Sequence, residues 1–157
     1  MNRTILFAAT LLSASAAAAA PPAVFLREAI QGNYSEVALG RMVQSRATSP
    51  DVRRFGAMLV RDHGKSLAQA QQIARRLHLR IPARLSPEAR AEQRRLQTLR
   101  GREFDREVRR FSIHEHRNDI AAFRAQARSG DRATSAYAAA NVPVMQHHLA
   151  AAQALGR

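Results

Sequence analysis

The chain has 157 residues, with 25 basic against 12 acidic side chains, a net charge of +13, and neither cysteine nor tryptophan. The length fits one domain of ordinary size, and the lack of cysteine excludes disulfides and a lipid anchor on an N-terminal Cys. Alanine, leucine and arginine dominate and aromatics make up 5%, which favours helices over sheets.

Residues 1–20 read as a cleavable secretory signal peptide. Arg3 is a short positive region, Thr4 to Leu12 a short apolar region, and Ser13 to Ala20 a run of small residues that places cleavage near Ala20. The expected mature domain is 21–157, exported to the periplasm in a cell with two membranes, with no transmembrane helix. Removing residues 1–20 takes away one basic residue, Arg3, and leaves a net charge of +12. Of the 25 basic residues only Lys65 is lysine. Two readings of the arginines stand open. They are a surface for anionic envelope components, or they are ordinary solvated charge in an arginine-preferring genome. Nucleic acid is not expected as a partner, because the arginines are scattered without stacking aromatics and the chain reads as exported.

A first helix is predicted from about Ala23 to Arg46, with Phe25, Ala29, Gly32, Glu36, Gly40 and Val43 on one face. Glu36 is flanked one turn away on each side by glycine, so a neighbouring backbone can approach it. Ser49-Pro50-Asp51 is a helix start, with Ser49 as the cap, Pro50 in the first turn and Asp51 at the positive end of the dipole. The second helix runs to about His78. Val52, Phe55, Gly56, Leu59, Val60, Leu67, Ala70 and Ala74 form its stripe, which stays in phase across Gly64 and carries His63 at its centre. Asp62 beside it can orient a histidine.

Leu79 to Leu85 is the longest connection. Ser86-Pro87-Glu88 then repeats the start signal. A single long helix is expected to about Arg128, slightly bent at Gly101, with its core side at Leu96, Leu99, Phe104, Val108, Phe111, Ile113, Ile120 and Phe123. His116 lies on that side with Glu115 next to it. Gly130 ends this helix and Asp131 caps a last one, from Arg132 to about Leu155, which Pro143 should kink or restart. Its apolar face holds Tyr137, Val144, Met145, His148, Ala152 and Leu155.

Four helices joined this way predict an all-α antiparallel four-helix bundle with both short turns at one end. Measured from that end, Glu36, His63, His116 and His148 stand at about 17, 20, 18 and 26 Å. All four lie on core faces at similar heights, so one carboxylate and three imidazoles form a candidate site for a divalent transition metal: zinc, iron, copper or manganese. Asp62 and Glu115 are the candidate orienting carboxylates. A buried hydrogen-bond network without metal is the alternative. No His-Glu-x-x-His or Glu-x-x-His motif is present, which argues against carboxylate-bridged di-iron chemistry. No Ser-His-Asp spacing, phosphate loop or nucleophile elbow supports a hydrolase or kinase. His78, His114 and His147 are expected to be exposed, and Asp105 and Asp119 to be solvated.

Five segments carry a family resemblance: Glu36-Val-Ala-Leu-Gly40, Phe55-Gly-Ala-Met-Leu-Val-Arg-Asp-His63, Leu99-Arg-Gly-Arg-Glu-Phe-Asp105, Glu115-His116 and Val142-Pro-Val-Met-Gln-His-His-Leu149. In their order and spacing the chain resembles a family of exported bacterial proteins of unknown function, often labelled predicted outer membrane proteins, with a ferritin-like four-helix fold. The resemblance implies that fold and export, and Glu36, Asp62, His63, His116 and His148 as positions of recurrent polar residues. It implies no reaction. The chain departs from the family at two places: the family usually has Asp-His where Glu115-His116 stands, and an aromatic residue where Val108 stands.

Overall fold

The first stripe of the sequence buries Phe25, Leu26, Ala29, Ile30, Asn33, Glu36, Leu39, Gly40 and Val43 along one helix, α1 (Pro22–Arg46), in the computed structural model of the protein. The structure describes residues 18–156, so nearly all of the expected signal peptide lies outside the described residues. Among them there are five helices and no strand. After α1 come α2 (Pro50–Arg76), α3 (Pro87–Thr98), α4 (Gly101–Ala127) and α5 (Arg132–Ala154).

α1 and α2 form a hairpin through Ala47–Ser49. Their closest approach is glycine against glycine. A Cβ on Gly40 would stand 2.6 Å from the Gly56 carbonyl oxygen, and one on Gly56 would stand 2.8 Å from that of Gly40. Gly32, by contrast, has open space around its Cβ position. The expected approach of a neighbouring backbone beside Glu36 is therefore made at Gly40 alone. Ser49 was expected to cap α2 but makes no capping bond with its side chain. Asp105, on α4, does the work from outside: its carboxylate accepts from Thr48 N (3.1 Å) and Ser49 N (2.9 Å), as well as from the Thr48 hydroxyl. Asp105 is buried rather than solvated, because it satisfies backbone donors that a helix start leaves free. Ser86 and Asp131 cap as their sequence positions suggest, accepting from Ala89 N (3.1 Å) and Thr134 N (2.8 Å).

The predicted single helix to Arg128 is two helices. Leu99 and Arg100 adopt extended backbone, and Gly101 opens α4 at φ +56°, a conformation glycine takes without strain. The carbonyls freed at the end of α3 are satisfied by arginine: Arg46 donates to Gln97 O (2.8 Å) and Leu99 O (2.9 Å). Pro143 does not break α5, which runs unbroken through it.

The division at residues 99–101 changes the topology. One apolar cluster joins Phe25, Leu26, Ala70, Ala74, Ile120, Phe123, Tyr137 and Ala138, with Leu79 and Ile81 packed against it. The other joins Val43, Val52, Phe55, Leu96, Phe104, Val108, Ala152 and Leu155. The start of α1, the end of α2, the end of α4 and the start of α5 thus share one end of the molecule. Segment 77–100 crosses from that end to the other before α4 begins. The two short turns consequently lie at opposite ends, not at the same end as expected. The residues near mid-helix still meet, because mid-height is the same from either end. No helix among the described residues is long and apolar enough to cross a membrane.

Candidate metal centre

His63 at the middle of α2, His116 on α4 and His148 on α5 come together in the interior. They are 3%, 0% and 0% exposed, and their ring centroids lie 5.0–5.6 Å apart. One ring nitrogen from each lies within 4.8 Å of the others. Each ring is held from its far side by a different acceptor. His116 Nδ1–H donates to the Ser112 carbonyl (2.8 Å). His148 Nε2–H donates to the Asp62 carboxylate (3.1 Å). His63 Nδ1–H donates to Asn33 Oδ1 (2.9 Å). The Asn33 amide is fixed that way round because its nitrogen donates to the Ala29 carbonyl (2.7 Å), which can only accept, and to the Tyr137 hydroxyl (3.1 Å). Ser66 Oγ lies 2.6 Å from the same hydroxyl and extends the network to α2. Acceptors on the far nitrogens are the arrangement that orients metal-ligating histidines.

The protons do not suffice. Asp62, His148, His116 and the Ser112 carbonyl form a row with three contacts, the middle one being His116 Nε2 to His148 Nδ1 at 3.2 Å. Two neutral imidazoles carry two N–H groups, and the carbonyl and the carboxylate accept only. One contact in the row is therefore left as two facing lone pairs. His63 Nε2, buried and without a hydrogen-bond partner, adds a third. A proton is disfavoured. Burial lowers the pKa of His63 well below its usual range, helped by His148 and His116, and burial also lowers that of His116. Burial outweighs the Asp62 hydrogen bond and takes His148 down to about 4. Asp62 is held well below the carboxylate range by its Arg61 partner, so it brings no proton of its own. The three nitrogens form a group that could hold a metal ion.

Glu36 is not among the converging side chains. It is 6% exposed, one carboxylate oxygen has no hydrogen-bond partner, and burial together with Glu115 pushes its pKa up to about 8. It faces a groove between α1, α3 and α4 that Glu115 and Asp119 also line. Glu115 is partly exposed and makes no described hydrogen bond to the triad. Asp62 holds His148 rather than its neighbour His63. Asp119, expected to be solvated, is half-buried, and burial with the nearby Glu36 raises its pKa to about 7. His78, His114 and His147 are exposed as expected. Sequence reasoning missed Asn33 and Tyr137 as parts of the network. Asn33 sits four residues after Ala29 and three before Glu36 on the buried face, and that placement was the available signal.

The fold and the cluster define an all-helical protein whose buried three-histidine centre can hold a metal ion. The chain matches the family model described as "Domain of unknown function (DUF4142)" over residues 8–155, and it belongs to that family. Comparison with curated proteins and with solved structures gives no match.

Proposed function

We propose that this is an exported metal-binding protein of ferritin-like architecture in which His63, His116 and His148 hold one divalent transition ion. The observation that carries the reading is the missing proton. An ion in place of the middle proton would satisfy the His116–His148 contact and the unpartnered His63 nitrogen at once. Two imidazole nitrogens bound tetrahedrally to zinc at about 2.0–2.1 Å stand about 3.3 Å apart, close to the 3.2 Å found. The His63 nitrogen must draw in from its wider separation. Three neutral nitrogen ligands suit zinc, copper or iron better than manganese, and they leave a fourth position for water or a small substrate. Asp62, Asn33 and the Ser112 carbonyl would fix the ring orientations.

Two further features support the wider reading. Two helix hairpins joined by one long crossover, residues 77–100, are the connectivity of ferritin-like bundles. The composition of residues 1–20 supports export, and with it a role in metal handling or stress protection in the cell envelope. The test is elemental analysis of protein purified untagged from the periplasm, beside a His63→Ala plus His116→Ala variant. About one equivalent of one metal in the wild type and none in the variant is the expected result. A folded wild type that is metal-free and resists loading would overturn the reading.

A second reading rests on the surface. Arg53, Arg54, Arg61, Arg75 and Arg76 are all exposed along α2, in a chain of net charge +13. In this reading the protein binds anionic envelope components and the triad only fixes helix register. It requires salt-sensitive binding to anionic vesicles or cell-wall fragments, and absence of binding at low salt removes it.

A further inference from the structure

The most acidic feature of this basic protein is a groove of about 580 Å³ between α1, α3 and α4. Glu28, Glu36, Glu88, Glu92, Glu115 and Asp119 line it, half of the chain's 12 acidic residues, and no Lys or Arg lines it. Glu92 is paired with Arg95 at 2.6 Å, and Glu115 lies 3.9 Å from His114. Glu36 has no such partner, and one of its oxygens is buried without a hydrogen bond. Across the groove, Gln93 of α3 leaves its amide nitrogen buried and unpartnered too. Buried polar groups without partners are uncommon in native structures and call for an explanation.

Size and geometry point to a ligand larger than a bare metal ion. The volume is in the range of small-molecule sites, and among the described residues these carboxylates do not converge as the histidines do. Leu39, Leu96 and Phe111 supply apolar wall between the charges. The charges are also spaced along the bundle axis. Glu88 and Glu92, like Glu115 and Asp119, stand four residues apart on a helix, a rise of about 6 Å, which is about the nitrogen–nitrogen distance of an extended four-carbon diamine. Glu28 and Glu36 are eight residues apart, a rise of about 12 Å.

We propose that this groove binds a linear aliphatic polyamine, with ammonium groups paired to Glu36, which releases its proton to solvent as the cation binds, and to the carboxylates around it, and with methylenes against Leu39, Leu96 and Phe111. α3 forms one wall and has Leu96 as its one buried residue, so it can adjust to the ligand at little cost in packing. The inference does not depend on the metal reading, because no histidine of the triad lines the groove.

The test is isothermal titration calorimetry of the full mature protein with butane-1,4-diamine and with spermidine at low salt. One equivalent is expected to bind, more tightly for spermidine, and at least 10-fold more weakly to a Glu36→Gln plus Glu115→Gln variant. A Glu28→Lys plus Glu88→Lys variant changes two exposed residues, leaves the core intact, and should weaken binding by a similar factor. A His63→Ala plus His148→Ala variant should bind spermidine as the wild type does, which separates this inference from the metal centre. Absence of binding to the wild type at 1 mM ligand on the order of small-molecule affinities, equal binding by the acidic-residue variants, or displacement by equimolar magnesium would each overturn it.

Discussion

Asp62→Asn is the substitution that most directly tests whether the triad is built for metal. Asp62 accepts the His148 Nε2–H at 3.1 Å and is otherwise tied to the exposed Arg61. The asparagine keeps the shape, removes the charge that makes His148 a stronger ligand, and offers an amide that can turn its N–H toward either donor. Loss of such an outer carboxylate weakens metal binding by about 10–100-fold, or about 1.4–2.7 kcal/mol. The ion pair with Arg61 is at the surface and contributes about 0–1 kcal/mol, so the metal-free variant should melt within a few degrees of the wild type. At free zinc 100-fold above its dissociation constant, the wild type gains about 2.7 kcal/mol; a 30-fold weaker variant gains about 0.9 kcal/mol at the same zinc concentration. For a chain of this size those gains correspond to rises in Tm of about 10 °C and about 3 °C. Differential scanning calorimetry with and without zinc reads both numbers. Equal zinc-induced shifts in the two proteins would refute the reasoning. A fall in metal-free Tm as large as the lost shift would show instead that Asp62 only supports the fold.

Other outcomes follow from the same geometry. Gly40→Ala forces α1 and α2 apart at their backbone contact and should cost about 1–3 kcal/mol in urea unfolding, whereas Gly32→Ala, with open space, should be neutral or stabilise by up to about 1 kcal/mol; similar costs at the two positions would contradict the crossing. Glu36 is favoured neutral in the fold, with its pKa raised from 4.5 to about 8. The stability that this neutral form contributes is full below pH 4.5 and is lost as pH rises through 8, a change of up to about 5 kcal/mol. Glu36→Gln should therefore flatten the decline of stability between pH 5 and 8, and a decline of unchanged slope in the variant would place its cause elsewhere. Asp105→Ala leaves Thr48 N and Ser49 N without their acceptor and should cost about 2–4 kcal/mol, read by chemical denaturation; a loss under about 0.5 kcal/mol would mean that water caps α2 equally well.

The helices were legible because their signals are local. Pro50, Pro87 and Asp131 sit at or beside helix starts, and the stripe through His63 marks a buried face without reference to any partner. The break at Leu99–Arg100 was not legible, because the helical pattern from Leu96 to Phe104 is unbroken in sequence. What ends α3 is Arg46, 51 residues away from Gln97, satisfying its last carbonyls. A similar separation, 57 residues from Thr48, hid Asp105, whose cap lies on another helix's start. Burial of a polar residue could be read from its stripe, but its partner could not.

The four candidate ligands show where that boundary falls. Height along the bundle was the argument for joining them, and it brought three histidines together even though the turns lie at opposite ends. Glu36 met the same criterion of height and burial and yet faces the other way, because facing is set by rotation about the helix axis, and α1 turns Asn33 rather than Glu36 toward His63. α1 buries two polar side chains on adjacent turns: Asn33 serves the triad and Glu36 faces the groove. A shift of three residues along one helix therefore separates a centre of three imidazole nitrogens from a groove lined by carboxylates. The two are chemically different. An ion small enough to sit between nitrogens 3.2 Å apart cannot bridge acids spread over about 12 Å of helix, and a chain cation long enough for those acids cannot enter the triad. The two sites proposed here, on opposite sides of the His116 helix, therefore call for cations of different kinds.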